Sequence, residues 1–294
     1  MTHLPGTALL YDATAHRWLR FDAPVQQVTA HRPNEVRAAL ETVERAVEAG
    51  QWAVGMLAYE AASAFDAALT VRLETEFPLL WFGLYDAPTD GALPPLPDPL
   101  ERLDWQPTVS HEAYLGAIDE VKAFIAQGAT YQVNYSYRLR APFSGDDFAL
   151  FRQLVAPHSP GYAVYLSLGR WALCSASPEL FFEREGARLR SRPMKGTAPR
   201  GLWPAPDDAN AAWLRDSQKN QAENVMIVDM VRNDMARLSR PGSVRVPQLF
   251  DIERHPTVWQ MTSTVESESD APLTHLLDAL FPAASITGAP KVRT

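Results

Sequence analysis

Residues 161–192 read GYAVYLSLGRWALCSASPELFFEREGARLRSR, and this stretch decides the fold class. It contains four short runs of strand-forming residues, which cover 161–168, 170–176, 179–184 and 187–192. Gly169 and Gly186 stand between runs, at places where the chain has to turn sharply. Short strands that follow one another this closely are typical of hairpins, so the stretch predicts an antiparallel sheet.

Helical and strand-like segments flank this sheet on both sides. Apolar residues at helical spacing predict helices at 34–49, 111–127, 146–156, 212–238 and 271–280. Further strands are predicted at 7–11, 17–21, 52–59, 79–86 and 131–140. Helices interspersed with antiparallel strands predict the α+β fold class.

A proline-rich stretch, residues 86–99, divides the chain. Proline fixes φ and lacks a backbone donor, so this stretch cannot continue a helix or a central strand and predicts a surface linker. We therefore expect an N-terminal domain of strands and a helix over 1–104, and a second domain over 105–294. A chain of 294 residues is long enough for both.

The composition excludes several classes of protein. Apolar residues make up 46% and charged residues 21% of the chain, which excludes wholesale disorder. The net charge of -8 argues against a nucleic-acid binder, because phosphates need a basic face. Cys174 is the single cysteine, which excludes an internal disulfide and a cysteine-based zinc site. The sequence has no signal peptide and no apolar run of about 18 residues, so we expect a cytoplasmic protein without membrane contact.

Two polar clusters lie at the end of the predicted sheet. Glu179 precedes three large apolar residues, so its carboxylate is either solvated at a strand edge or held in a pocket that raises its pKa, as a general acid requires. Residues 192–201, RPMKGTAPRG, predict a turn with Lys195 at its centre, between Arg192 and Arg200. Cationic neighbours favour the neutral amine and would make Lys195 a nucleophile; the alternative is a solvated basic loop.

A third cluster lies on the predicted helix at 212–238. Glu223 and Asp234 share one face of this helix with two apolar residues. A hard cation such as Mg²⁺ would satisfy these acids. Alternatively, each acid pairs with a base on the same helix, Lys219 for Glu223 and Arg237 for Asp234. We favour pairing for Asp234 and leave both interpretations open for Glu223.

A fourth cluster, residues 281–291, reads FPAASITGAPK. Its small residues, with Gly288 ahead of Pro290, predict a loop whose backbone amides could donate to a carboxylate. An ordinary turn is the alternative, and it is the simpler interpretation of this segment alone.

The clusters form part of six ordered motifs that resemble the chorismate-utilising enzyme family. The motifs are TYQVNYSYR (130–138), SPELFF (177–182), RPMKGTAPRG (192–201), AENVMIVDMVRNDMARL (222–238), VWQMTSTV (258–265) and FPAASITGAPKVRT (281–294). The likeness runs from about Val121 to the end of the chain, and GMLAYE at 55–60 loosely resembles the family's N-terminal sheet. It implies two large antiparallel sheets in a sandwich with outer helices, and it makes 105–294 the chorismate-binding catalytic domain.

Two positions distinguish branches of the family. Members that add water carry a lysine base at the position of Gln132, so at this position the chain resembles the ammonia-using branch. Anthranilate synthases usually carry a small residue where Lys195 stands, so at this position the chain resembles the aminodeoxychorismate synthase branch. An anthranilate synthase component I is the alternative that we retain.

The resemblance implies a role for each site residue. Lys195 would attack C2 of chorismate while Glu179 protonates the departing C4 hydroxyl; ammonia then adds at C4 and expels the lysine, giving 4-amino-4-deoxychorismate for p-aminobenzoate and folate synthesis. Glu223 would help to hold Mg²⁺ against a substrate carboxylate. A glutamine amidotransferase subunit would supply the ammonia. Further substrate contacts are implied at Gln132, Ser177, Gly196, Thr197, Gln260, Thr287, Gly288 and Ala289.

The chain departs from the family pattern at two places. Gln260 stands where many relatives have a histidine, and nearby His255 is predicted to be a surface residue. The chain ends at Thr294, whereas family members continue through a helix, several strands and a second acidic metal ligand. We therefore expect a fold that is incomplete at the C-terminus, and a catalytically silent fragment is the alternative to an enzyme.

Overall fold

A computed structural model of the chain describes residues 4–72, 76–93, 103–156 and 161–294. The helices are α1 (Pro33–Glu48), α2 (His111–Ala126), α3 (Asp147–Val155), α4 (Pro204–Asp216), α5 (Gln218–Ala236) and α6 (Leu273–Leu280). The strands are β1 (Ala8–Asp12), β2 (Arg17–Phe21), β3 (Gln26–Ala30), β4 (Trp52–Leu57), β5 (Leu80–Tyr85), β6 (Thr89–Gly91), β7 (Gln106–Pro107), β8 (Gln132–Val133), β9 (Leu139–Arg140), β10 (Tyr162–Ser167), β11 (Ala172–Ser177), β12 (Leu180–Glu185), β13 (Arg188–Arg192), β14 (Met194–Pro199), β15 (Arg245–Arg254), β16 (Val258–Glu268) and β17 (Gly288–Ala289).

The fold is α+β, as predicted, and its largest sheets are two antiparallel sheets of five strands each. The first sheet has the strand order β11-β10-β1-β2-β6. It joins strands from both sides of residue 104, because β1 pairs with β10 through Ala8↔Leu166 and its neighbours. The division into 1–104 and 105–294 stays a prediction.

The second sheet carries the candidate site. Its strand order is β12-β13-β16-β14, and β15 pairs with the other edge of β16. The 11-residue strand β16 therefore pairs along one edge with β13 and β14 in turn. Helix α5 packs on this sheet through a shared cluster of buried apolar residues. The helix contributes Ile227, Val228 and Met235, and strands β13 and β16 contribute Leu189 and Val265.

A smaller sheet and α1 share a core with α6. Strands β3, β5 and β4 form a three-stranded sheet, and α1 packs its apolar stripe of Val36, Leu40 and Val43 against it. The helix begins where the Glu35 carboxylate accepts from the backbone amides of residues 31 and 32, at 2.9 and 3.0 Å. In α1 the spacing of apolar residues thus fixes both the helix and the face it buries.

Several predictions of secondary structure are confirmed. The predicted helices at 34–49, 111–127, 146–156 and 271–280 correspond to α1, α2, α3 and α6. The four strands predicted within 161–192 correspond to β10, β11, β12 and β13. Of the predicted linker at 86–99, residues 89–91 form β6, and 94–99 lie outside the described residues.

Three predictions are wrong. The single helix expected at 212–238 is two helices, because Ser217 ends α4 and caps α5 by accepting from the Asn220 amide at 3.4 Å. The strand expected at 131–140 pairs only at its two ends, as β8 and β9. The turn expected at 192–201 is mostly the strand β14, since ladder bonds to β16 outweigh its prolines and glycines.

No helix in the described parts of the chain combines the length and the apolar character required to cross a bilayer.

Candidate active site

Glu179 lies in the turn that joins the two large sheets. The hydroxyl of Ser177, at the end of β11, accepts from the Glu179 amide at 3.2 Å and so fixes the turn. The Glu179 carboxylate accepts from the Met194 amide at 3.3 Å, and its interaction with the Ser285 side chain lowers its pKa. The sequence therefore places the acid against β14 and against the segment that follows α6.

The surroundings of Glu179 raise its pKa. Burial is the dominant cause, and the hydrogen bonds and the charge of Lys195 oppose it only in part. A cavity of about 250 Å³ beside the carboxylate has a mostly apolar lining that includes Leu180, Phe181, Leu280 and Phe281. Of the two interpretations of this acid, the pocket is therefore the one that the structure supports.

Lys195 reaches the same place from β14. Gly196 adopts φ +104° and forms an irregularity in the pairing of β14 with β16, between the pairs at Met194 and Thr197. This bulge directs the Lys195 side chain so that its Nζ donates to the Ser285 carbonyl at 2.9 Å. Ser285 thus contacts Lys195 through its backbone and Glu179 through its side chain.

The flanking arginines do not have the role expected from the sequence. The Arg192 guanidinium forms an ion pair with Glu253. The Arg200 guanidinium donates to Asp207 at 2.7 and 2.6 Å and holds the pKa of that carboxyl well below its usual range. Since each guanidinium is neutralised by its own carboxylate, the expectation of two uncompensated cations beside Lys195 is wrong.

Asn224 is a site residue that the sequence analysis missed. It is 1% exposed, and its Nδ2 donates to the backbone carbonyls of Lys195 at 3.4 Å and Met261 at 3.3 Å. Its Oδ1 accepts from the hydroxyl of Ser263 at 2.6 Å. The available signal was an amide on the inward face of α5, three residues before Ile227, where an apolar side chain is the rule.

Thr197 and Gln260 face each other across the ladder of β14 and β16. The Thr197 hydroxyl donates to Oε1 of Gln260 at 3.0 Å. Gln260 also lines a second cavity of about 250 Å³ together with Ser177 and His255. The prediction that His255 is a surface residue is wrong, because its side chain is only 22% exposed and lies 3.7 Å from a carboxylate oxygen of Glu253.

Gln132 meets the fourth cluster through the short pairing of β8 with β17. Gln132 pairs with Ala289, and Val133 pairs with Gly288. A Cβ at Gly288 would lie 2.4 Å from the Gln132 carbonyl oxygen, so this close approach requires glycine. Thr287 lies just before this pairing, and its hydroxyl donates to the backbone of the preceding short helical turn.

Glu223 and Asp234 are both paired with lysines. Glu223 lies 3.8 Å from Lys219, as one of the two interpretations had it, and its side chain is 38% exposed. Asp234 pairs as we favoured, although its hydrogen-bonding partner is Lys291 at 2.7 Å and not Arg237. Burial raises the pKa of Asp234, and Lys291 opposes that rise.

The donor set for a metal ion is small. The described residues contain no group of three or more histidine, cysteine, aspartate or glutamate side chains that could hold a metal. Mg²⁺ is often bound through one or two carboxylates, with substrate oxygens and water completing its shell. Glu223 has a partly accessible carboxylate and a long ion pair with Lys219, so its oxygens remain open to a further partner.

Comparison with known sequences places this geometry in context. The profile of a family described as chorismate binding enzyme matches residues 6–294. Aminodeoxychorismate synthase component 1 of Klebsiella aerogenes is 41% identical over 191 residues, which are 64% of this chain and 42% of that protein. Anthranilate synthase component 1 1 of Haloarcula marismortui is 36% identical over 206 residues, 68% of this chain and 42% of that protein.

The matched regions thus span about two fifths of the length of these relatives. Among solved structures, anthranilate synthase component I from Streptococcus pneumoniae superposes with a TM-score of 0.78 at 21% identity, covering 100% of this chain and 76% of that one. At this identity, the likeness concerns the fold, and it agrees with the α+β architecture described above.

Proposed function

The chain belongs to the chorismate-binding enzyme family, and from this premise we propose that it aminates chorismate to 4-amino-4-deoxychorismate with ammonia as the nitrogen donor. The observation that carries the proposal is the contact of Ser285 with both Lys195 and Glu179. It brings a primary amine and a protonatable acid to one residue, and these are the pair of groups that the reaction needs.

In the proposed reaction, the neutral amine of Lys195 forms a bond to C2 of chorismate while the C4 hydroxyl leaves. Glu179 gives its proton to that hydroxyl, which departs as water. Ammonia then forms a bond to C4, the bond from C2 to the lysine nitrogen breaks, and the surplus proton returns to the Glu179 carboxylate. The raised pKa of Glu179 supports its part, because a general acid has to be protonated near neutral pH.

Other residues of the chain position the substrate in this proposal. Thr197 and Gln260, joined by a hydrogen bond, would supply a hydroxyl and an amide, and Gln132 with the paired segment from Thr287 to Ala289 would supply further polar groups. Glu223 would hold Mg²⁺, which when bound neutralises a substrate carboxylate. A separate glutamine amidotransferase subunit would supply ammonia, supported by the words "component 1" in the names of relatives. We place the reaction in the cytoplasm.

The test is to incubate the 294-residue chain with chorismate, Mg²⁺ and an ammonium salt, and to identify products by mass spectrometry. We expect 4-amino-4-deoxychorismate, and we expect Lys195→Met to abolish both the product and any covalent adduct on the protein. Lys122→Met is the matched control, because this exposed lysine on α2 lies outside the site. Absence of product from the unmodified chain would contradict the proposal.

Anthranilate synthesis is the second candidate, and the 36% identity to the Haloarcula marismortui relative favours it. The same incubation separates the two, because anthranilate differs from 4-amino-4-deoxychorismate in mass and fluorescence. Formation of anthranilate that persists in Lys195→Met would favour the second candidate over the first.

A further inference from the structure

A buried ion pair lies behind the candidate active site. Lys291 Nζ donates to Asp234 at 2.7 Å, and the two side chains are 10% and 9% exposed. The same ammonium donates to the carbonyls of Ala279 at 2.9 Å and Leu280 at 3.4 Å. Its three N–H donors therefore have three acceptors, and all of them belong to α5 or to the end of α6.

This ion pair closes the segment that carries Ser285. Residues 281–290 leave the end of α6 and return to it at Lys291, so the ammonium holds both ends of the segment to the same carbonyls. Ser285 lies in the middle of the segment, where it contacts Lys195 and Glu179. Fixing both ends of a short segment restricts the positions that its middle residues can adopt.

Stability alone gives a poor account of this pair. Desolvating two charges costs much of what their attraction returns, so apolar residues of similar size often do as well or better in such a place. The ammonium differs from an apolar side chain in that its donors are directional and reach α5 and α6 at once. Asp234 and Glu179 also line the same apolar cavity, so the two acids border one space.

We propose that Lys291 and Asp234 are positioning residues that hold the 281–290 segment so that Ser285 joins Lys195 to Glu179. This inference rests on the proposed function for its kinetic consequences. Its structural consequence, an ordered 281–290 segment, does not depend on which reaction the site performs.

The test uses the full chain and the double variant Asp234→Asn/Lys291→Met, which removes both charges and leaves neither of them unpaired. We expect faster amide hydrogen exchange in peptides covering 281–290. We also expect kcat for chorismate amination to fall by about 100-fold, with KM changed by less than about threefold, because a small displacement of reacting groups is costly. Loss of the Ser285 contact should raise the pKa of Glu179 and move the basic limb of kcat/KM to higher pH.

Asp229→Asn is the matched control, because Asp229 lies on α5 like Asp234 but is exposed and pairs with Arg232 at 2.7 Å. It should leave exchange in 281–290, kcat and the basic limb unchanged. If the double variant does not fold, Lys291→Gln replaces it. The glutamine amide retains two donors, so this variant should give a smaller change of the same sign.

Exchange in 281–290 that stays as slow as in the unmodified chain would overturn the inference. So would a loss of activity that appears only in KM or only as a lower Tm. Failure of the proposed function looks different: the unmodified chain then makes no 4-amino-4-deoxychorismate, while the exchange comparison still decides whether the ion pair orders the segment.

Discussion

At the scale of single residues, Ser285 contacts both the acid Glu179 and the amine Lys195. Its side chain is one of the groups that lower the pKa of Glu179 against the effect of burial. Its backbone carbonyl meanwhile accepts from Lys195. Ser285 therefore acts on the pKa of Glu179 through a side chain that can be removed, and it contacts the amine through a backbone group that remains.

We expect Ser285→Ala to move the pH dependence of the reaction in a defined direction. Removing a hydrogen bond to the carboxylate raises the pKa of Glu179, so the acid stays protonated to higher pH. A general acid is active only when protonated, so the basic limb of kcat/KM should shift to higher pH in the variant. A pH series of initial rates with chorismate and ammonium measures this shift.

Ser191→Ala is the control for this prediction. Ser191 lines the same cavity, but its hydroxyl donates to the Phe181 carbonyl at 2.6 Å. Its removal should leave the basic limb in place. A shift of the same size in both variants, or a shift to lower pH in Ser285→Ala, would contradict the assignment of Glu179 as the acid.

The sequence predicted the side chains of this site better than its backbone. Lys195 and Glu179 were identified because a lysine and a glutamate stand in recognisable motifs, and the structure places both against Ser285. The contribution of Ser285 was missed because its contact with Lys195 is made by the backbone carbonyl, a group that every residue carries. Asn224 was missed because its partners are also mainly backbone groups.

At the scale of elements, the bulge in β14 decides where Lys195 points. Gly196 has φ +104°, and a Cβ there would lie 3.1 Å from Cβ of Asn220 and 3.2 Å from Cβ of Met261. These neighbours lie on α5 and β16, so a side chain at residue 196 would press the strand away from both. The glycine is therefore required by backbone conformation and by close packing at once.

We expect Gly196→Ala to lower the free energy of unfolding by about 1–3 kcal/mol, the range for a strained backbone position, and to reduce kcat because Lys195 is displaced. Chemical denaturation and initial rates measure the two effects. The control is Gly116→Ala on the solvent-exposed side of α2, where no atom lies within 4 Å of the added Cβ. That change should raise stability by up to about 1 kcal/mol, since alanine is the better helix former.

Asn224 connects α5 to both neighbouring strands of the sheet. We expect Asn224→Ala to cost about 1–3 kcal/mol of unfolding free energy, because two buried carbonyls and the Ser263 hydroxyl lose their partner. The matched control is Asn210→Ala, whose single bond to the Pro199 carbonyl is exposed. Equal losses in denaturant melts of both variants would show that the buried network adds nothing.

The elements that sequence predicted wrongly fail for tertiary reasons. Residues 192–201 contain the prolines and glycines of a turn, yet the pairing with β16 makes most of them a strand. Residues 131–140 alternate as a strand should, but only their ends find partners among the described residues. The local sequence pattern is enough to predict α1 and α6, because each has a single apolar stripe. It does not predict segments whose structure depends on pairing with a strand distant in sequence.

At the scale of the whole molecule, the two halves of the chain share a sheet. The first sheet takes β1, β2 and β6 from before residue 104 and β10 and β11 from after it. The core beneath combines Phe21 and Tyr85 from the first half with Leu166 from the second, all at most 2% exposed. The sequence predicted a boundary from its prolines, and proline content carries no information on which strands pair across it.

We expect residues 105–294 produced alone not to fold cooperatively. Without 1–104, β10 loses its ladder with β1, and the fully buried Leu166 becomes exposed at an open sheet edge. Helix α6 also loses the Arg37 partner of Asp278 on α1. In thermal unfolding followed by circular dichroism, we expect a single sharp transition for the intact chain and none for 105–294 alone, and co-production with 1–104 should restore the transition. The restored transition would report the pairing of β1 with β10. A variant that blocks this ladder, such as Leu9→Pro, should therefore prevent the rescue. A cooperative transition in 105–294 alone would contradict the prediction and establish this part as an independent domain.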